Sequence, residues 1–555
     1  MSWFVQIGIL ILGYLANRAI AAYIQSRQKP PLPGPFQAPT IAPGQAIPVS
    51  YGTVRGEAVC AGLYEAKLVE VNLDTLDNIT RIGKHQTIGY QYKITALFVL
   101  GWGHITQIAN VTFGDRSLAD QALTQPWDFG NGVTLNVPTF NMAGEYNFIV
   151  AGDHVGPQGG NIEIYGGGRA IATIFLPNIF GGRGRGGGFS AIGGDINQPY
   201  GGTLRFYLGN RQTGPDEKLV AKLGAGNVPN WNDLCYIVFD DVNVGEGTIP
   251  PSIEWIYYRE PAAIDSRVNV RNIQGRYWAW RMQDMNPAAI VYDILRNSQY
   301  GLDQPAHHIQ RADYSLSRGL SGDFVDAGAA LAAEGLGMSM RFAGDRQGAE
   351  NAIKEIERTV DGVLTRDPVT FKWRFKLIRD EATTTDEFNN LRAFTNEQLI
   401  SLTPLNQQLW SETFNVVTVE FSDAERFFNK NAVTLRNDAN IAMTGGERAA
   451  PNIQYFGITD LATARRLGAR DLKKLSLPLW KGQMKTSRNG WDLERGDVFK
   501  LTYDKYEFSQ KLFRVMAVDF GDEANGTITA DIMEDVFHYA DIVRPESIPD
   551  VPAGT

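Results

Sequence analysis

Cysteine is almost absent: two residues, Cys60 and Cys235, serve 555 positions. That excludes a disulfide framework and a cysteine-built zinc site. Both lie in apolar strand-like stretches, GEAVCAGLY and NDLCYIVFDD, where buried reduced thiols are expected. Histidine is nearly as scarce (His85, His104, His154, His307, His308, His538), and the adjacent His307–His308 pair lacks the i, i+4 spacing that sets two ligands on one helix face. No Gly-x-Ser-x-Gly elbow, His-Glu-x-x-His pair or Gly-x4-Gly-Lys-Ser/Thr loop occurs. Positive charge is not in excess either. Lys+Arg 52 against Asp+Glu 61 leaves a net charge of −9, with no electrostatic basis for sequence-specific nucleic-acid binding.

Long apolar runs are missing, with one exception at the start, MSWFVQIGILILGYLANRAIAAYIQSRQKPPLPGP. From Trp3 to Ala16 only Gln6 is clearly polar, and that run is shorter than the ~20 residues a bilayer span needs. Extending it to Ile24 buries Arg18 at considerable cost, and no basic residue precedes it as a secretory signal requires. Three readings stay open: a helix buried in an oligomer or against a partner, a membrane anchor or membrane-inserting segment, and a cleaved signal. The stretch KPPLPGPFQAPTIAPGQAIP that follows is expected to be extended and semi-rigid, holding the first residues away from the folded body.

What the chain does have is glycine (58), proline (26), 11% aromatic and 20% charged residues. This is a globular balance with room for several domains at about 100–200 residues each. Short β patterns dominate. Residues 47–71 and 88–113 are rich in β-branched and aromatic residues, the latter reading as two strands around Gly101–Trp102–Gly103. A Gly/Asn/Pro-rich stretch spans 119–200, and strands resume at 203–210, 234–244 and 252–260. Helices are few. In NPAAIVYDILRNSQYGL (286–302), Asn286 suits the N-cap, Pro287 the first turn, and Gly301 a left-handed C-cap. Its only acid is Asp293, so it reads as packing. Helices are also expected over 349–365, with Ile353, Ile356 and Val360 on one face, and over 460–475. Between them 369–378 alternates as a half-buried strand through Val369, Phe371, Trp373, Phe375 and Leu377.

Two features invite a chemical reading and a plainer one. GGRGRGGGFSAIGGDINQPYGG (181–202) lacks a P-loop lysine and is expected to be a surface loop. The pairs Asp240–Asp241 and Glu534–Asp535 flank apolar strands; neighbours on a strand face opposite ways, so solvated strand ends are expected.

Taken in order, several stretches resemble the central tail-tip or baseplate hub proteins of long-tailed, lambda-like phages and of gene transfer agents. They are PVSYGTVRGEAV (48–59), YQYKITALFVLGWGHITQI (90–108), IFGGRGRGGGF through GTLRFYLGNRQTGPDEKL (179–219), YIVFDDVNVGEGTIPPSIEW (236–255), NPAAIVYDILRNSQYGLD (286–303), LERGDVFKLTY (493–503) and RVMAVDFGDEANGTITADIMEDVF (514–537). The resemblance implies a mainly β, multi-domain fold with α+β insertions and two tube-like β-barrel hub domains. On that pattern residues 1–29 form an apolar N-terminal helix, 30–48 a Pro-rich linker, 49–118 with 200–262 a discontinuous first hub barrel, and 119–199 an inserted Gly/Asn-rich β domain. An α+β region covers 263–410, the second hub barrel 411–543, and a tail 544–555.

The resemblance further implies a non-enzymatic virion protein at the distal end of the tail, without cofactor, metal or catalytic residues. It would form a homotrimer that closes the tail tube, meets the distal tail protein ring, the tape-measure protein and tail fibre or tip proteins, and opens for DNA release. The chain ends at Thr555, without the long receptor-binding extension of many relatives, so receptor recognition is expected to lie with separate fibres or tip proteins. Ile7, Leu10, Ile11 and Tyr14 are the expected interaction residues, bundling at a threefold axis, meeting the tape measure or contacting the host membrane. The alternative from another class is a membrane-anchored extracytoplasmic β-rich binding or cell-wall protein.

Overall fold

The computed structural model describes residues 31–37, 44–76, 83–103, Ile105, the strands named below and other short strands between 107 and 208, 215–229, Trp231, 233–245, 253–260, 271–272, 284–311, 323–367, 370–380, 385–426, 428–521 and 526–537. The interaction residues Ile7, Leu10, Ile11 and Tyr14, the glycine-rich loop 181–200 and the tail 544–555 lie outside them. Two compact units emerge. Unit 1 takes Met1–Pro48 and Arg55–Tyr257; unit 2 takes Val49–Val54 and Tyr258–Thr555.

In unit 1, β1 (Pro48–Glu57) leads into β2 (Val59–Leu76), β3 (Gly83–Trp102), β4 (Gly160–Gly166), β5 (Arg169–Leu176), β6 (Gly202–Leu208), α1 (Glu217–Leu223) and β7 (Leu234–Gly245). A six-stranded sheet runs β5–β4–β6–β7–β3–β2, with β4 and β6 the parallel pair. Aliphatic and aromatic side chains of β3 and β7 make its core, including Leu97, Val99, Tyr236 and Val238, against Leu219 of α1. Asp216 starts α1 by accepting from the Leu219 N–H at 2.8 Å and from the Tyr207 hydroxyl at 2.5 Å. Gly103 turns the chain after β3 with φ +81, as the Gly101–Trp102–Gly103 turn requires. Both cysteines are buried and free. The Pro-rich lead is not simply a spacer: Tyr92 donates to the Gly34 carbonyl, and the Phe36 ring lies 5.0 Å from the Tyr92 ring.

In unit 2, the Val49–Val54 part of β1 pairs with β8 (Met340–Ala343). Around them stand α2 (Pro287–Arg296), α3 (Phe324–Ala333) and α4 (Arg346–Val360), then the hairpin β9 (Gly362–Arg366) and β10 (Trp373–Leu377). The helix expected to continue to 365 stops at Val360. Asp361 takes the left-handed cap at φ +50, and β9 starts at Gly362, whose hydrogen sits where a Cβ would lie 2.8 Å from the Phe375 ring. The strand expected over 369–378 is shorter, Trp373–Leu377; Phe371 has φ +56 and is 69% exposed, a turn residue rather than a core one.

The remainder comprises β11 (Arg392–Phe394), β12 (Leu399–Gln407), β13 (Val416–Asp423), β14 (Asn429–Arg436), α5 (Asp438–Thr444), β15 (Ile453–Tyr455), α6 (Leu461–Ser476), β16 (Trp480–Thr486), β17 (Val498–Tyr503), β18 (Phe508–Asp519) and β19 (Ile528–Glu534). Six strands run β11–β17–β18–β19–β16–β12 over a core of Phe499, Phe513, Met484 and Ile532 among others. Three more run β14–β13–β15, with α6 on one face: a Cβ at Gly468 would sit 2.5 Å from Leu435 and 2.8 Å from Val419. The fold is mainly β with several sheets. Among the described residues no closed barrel is found, and both edges of the six-stranded sheet are open. Nor is any described helix long and apolar enough to cross a membrane.

Candidate functional site

Helix α2 begins as its sequence dictates. Asn286 accepts from the Ala288 N–H at 3.1 Å, gives its own amide to the Gly328 carbonyl at 2.8 Å, and Pro287 fills the first turn. It ends differently from expectation. The C-cap is Asn297, in extended conformation, whose carboxamide oxygen accepts from the Gln299 and Tyr300 N–H groups. Gly301 is not left-handed; it is needed because a Cβ there would lie 2.0 Å from the Ile294 carbonyl. The positive φ falls on Asp303, at +50.

The one acid of α2 is the centre of a buried polar joint. Asp293 accepts from the Tyr51 hydroxyl at 2.6 Å and the Tyr300 hydroxyl at 2.9 Å. Arg259 completes it, giving one amine to the Tyr300 oxygen at 2.6 Å and another to the Ser50 carbonyl at 2.9 Å, with its guanidinium 4.8 Å from the Tyr51 ring centre. Burial and the neighbouring acid push the Tyr51 phenol well above its ordinary range; burial likewise pushes Tyr300 up to about 12. Both therefore stay protonated donors. The stretches PVSYGT, WIYYR and NPAAIVYDILRNSQYG, far apart in sequence, meet here.

A second joint unites the closing stretches. The turn of LERGDVF is tied by Asp497, which accepts from the Glu494 N–H at 2.8 Å and from Lys376 at 2.6 Å. Arg514 of β18 gives amines to the Gly496 carbonyl at 2.7 Å and the Arg379 carbonyl at 2.7 Å. Its guanidinium also donates to Asp535 at 3.2 Å. Asp535 is 3% exposed and Glu534 4%, so this acidic pair is not a solvated strand end. The sequence expectation is overturned because β18 supplies a cation on each side, Arg514 for Asp535 and Lys511 for Glu534 at 2.9 Å. Asp240 and Asp241 are half-buried; Asp241 sits at φ +51 in a bulge and reaches Lys67 at 3.3 Å.

Two further networks lock α4, α5 and α6 to the sheets. Arg470 and Lys474 both reach Asp361, at 2.9 and 2.5 Å, while Tyr455 donates to Asp471. Burial lowers Lys474 from its ordinary range and sends the Tyr455 phenol far up. Asn415, wholly buried, gives its amide to Asn440, Thr444 and the Gly446 carbonyl and accepts from the Arg448 N–H at 2.6 Å. Beside α6 an open groove of about 560 Å³ is lined by Phe414, Ile453, Phe456 and Leu475, with Glu355 and Arg358 at its polar side. Every one of these polar clusters carries its own counter-charges or hydrogen bonds, which builds rigidity and leaves no poised nucleophile with a base. Among the described residues no group of three or more His, Cys, Asp or Glu could hold a metal ion.

Residues 349–518, from α4 through β18, match a family model described as a putative phage tail protein. Over this segment the chain is similar to phage tail proteins. The phage-tail-like segment contains Asp361, Asn415, Arg470 and Arg514, so most of the joints just described are built within it. Among solved structures, a chain from the virion of a native gene transfer agent particle is 14% identical, with a TM-score of 0.46, covering 98% of this chain and 99% of that one. The tail protein from Neisseria meningitidis MC58 is 12% identical, with a TM-score of 0.24, covering 34% of this chain and 54% of that one. No curated protein matches.

Of the joint residues, sequence reading had singled out Asp293 and Asp535, and neither for its true role. Arg259, Arg514 and Asn415 were missed. A polar residue lodged in an apolar strand, as Asn415 is in FNVVTVEF, was the one available signal.

Proposed function

We propose that this chain is a structural protein of a phage-type tail, a trimeric hub near the distal end that closes the tube and opens for passage of the tape measure and DNA. The observation that carries the tail reading is the match of residues 349–518 to a phage tail protein family. The hub position is supported by the ordered likeness of the stretches between 48 and 537 to tail-tip proteins. Several of those stretches converge on interlocked polar joints, as a load-bearing scaffold needs and a catalytic cleft does not. On this reading its neighbours are the distal tail ring, the tape-measure protein and fibre or tip proteins, and Ile7, Leu10, Ile11 and Tyr14 face one of them or a membrane. The open edges of the six-stranded sheet, β11 and β12, offer unpaired backbone through which neighbouring copies could complete a ring.

Gold-labelled antibody against this chain, applied to purified particles and viewed by electron microscopy, tests the reading. Label at the distal tail end is expected; label elsewhere on the particle, or protein found in cell membranes and on no particle, overturns the hub.

A further inference from the structure

One buried carboxylate in unit 2 has no cation. Asp284 precedes α2 and is 4% exposed. The Ser339 hydroxyl donates to its Oδ1 at 2.5 Å, and the Thr459 hydroxyl donates to Oδ1 and Oδ2 at 3.0 and 2.9 Å. The Ser339 oxygen in turn accepts from the Thr53 N–H at 3.1 Å. Backbone bonds fix this meeting: Met285 and Met338 exchange N–H···O bonds at 2.8 and 2.9 Å, and the Ser339 N–H reaches the Gly457 carbonyl at 2.8 Å. Gly52 is required beside it, at φ +73, since a Cβ would lie 2.2 Å from the Ser339 oxygen.

The charged group that acts on Asp284 is a like charge, Asp460, whose carboxylate caps α6 through the Thr463 N–H at 2.8 Å. Arg341, two residues beyond Ser339, is not among its hydrogen-bond partners, and the β1 segment brings hydroxyls and backbone rather than a cation.

We propose that Asp284 is a proton-operated latch on the Val49–Val54 segment. Ionised, it accepts from both hydroxyls, and the Ser339 oxygen is free to hold the Thr53 N–H. When a proton binds Oδ1 or Oδ2, that O–H becomes a donor and needs an acceptor. The hydroxyls of Ser339 and Thr459 are the oxygens within reach, so one of them turns its own proton away and the bond reverses direction. The reversal removes a buried charge and rewires the contact that pins β1.

Burial holds the Asp284 carboxyl up at about 6, against the opposing pull of the Ser339 and Thr459 hydrogen bonds. An acid raised in the folded state confers most stability below its unfolded pKa, near 4, and loses it as pH rises through the folded value. The latch is therefore firm in acid and weaker at neutral pH, with the change falling between about pH 4 and 6. Burial also raises Glu357 and Glu494, so the wild-type slope alone does not identify the residue. The difference from a variant does.

The test is hydrogen–deuterium exchange of the full chain at pH 4.5 and 7, corrected for intrinsic exchange, beside thermal unfolding at both values, for the wild type and Asp284→Asn. The wild type is expected to lose protection at Thr53 and Ser339 on going to pH 7, by ten- to a hundredfold as a shift of about two pH units implies. Asp284→Asn, which cannot ionise, keeps equal protection and shows a shallower fall in melting temperature. The same loss in both proteins overturns the latch. If Asp284→Asn does not fold, Thr459→Val removes one donor to the carboxylate and moves the transition to higher pH; an unmoved transition overturns it equally.

Discussion

The Tyr51 hydroxyl and the Asp293 carboxylate, 242 residues apart in sequence, share a 2.6 Å hydrogen bond inside unit 2. Neither residue is remarkable in its own stretch. The bond joins the Val49–Val54 segment to the buried helix α2, and Arg259 and Tyr300 close around it.

Tyr51→Phe removes one donor and leaves Asp293 with Tyr300. A loss of about 1–2 kcal/mol is expected in denaturant unfolding. Asp293→Ala leaves the Arg259 guanidinium buried without its acid, and about 3–5 kcal/mol is expected. Equal effects of the two would show that the guanidinium does not depend on Asp293.

Gly301→Ala places a methyl 2.0 Å from a backbone carbonyl. Backbone cannot step aside as a side chain can, so destabilisation of about 2 kcal/mol or more is expected. Gly446→Ala is the control: nothing lies within 4 Å of its Cβ, and a change within ~0.5 kcal/mol is expected. Melting curves of the two variants decide the point.

Arg514→Ala strands Asp535 in the interior and is expected to cost about 3–5 kcal/mol. Arg514→Met with Asp535→Leu removes both charges, so it should recover a large part of that loss. A double-mutant cycle measures the coupling; additive losses would rule out a mutual pair.

Asn415→Asp keeps shape and size but replaces an amide donor by a carboxylate that faces the Asn440 and Gly446 oxygens. It should destabilise more than Asn415→Ala, which costs about 1–3 kcal/mol through its unpaired neighbours. The reverse ranking in urea titrations would mean that the amide is not the element that matters.

Local chemistry was readable because it is local. Asn286 and Pro287 start α2, Ile353, Ile356 and Val360 mark the buried face of α4, and Gly103 turns the chain after β3, each from a few neighbouring residues. The ends were less readable. The termination of α2 at Asn297 and of α4 at Asp361 follows from packing of the next segment, which no capping preference within the helix encodes.

The sequence by itself determined the β-rich class, the helix starts, the reduced cysteines and the likeness to tail proteins, because periodicity, capping chemistry and motif order are properties of the chain. Only the tertiary structure decided what the acids do. Whether Asp293, Asp284 or Asp535 is solvated, paired with a cation or buried with hydroxyls alone depends on which distant strand arrives beside it. A carboxylate's energy is set by the dielectric and the charges within a few ångströms, and those neighbours are chosen by the fold.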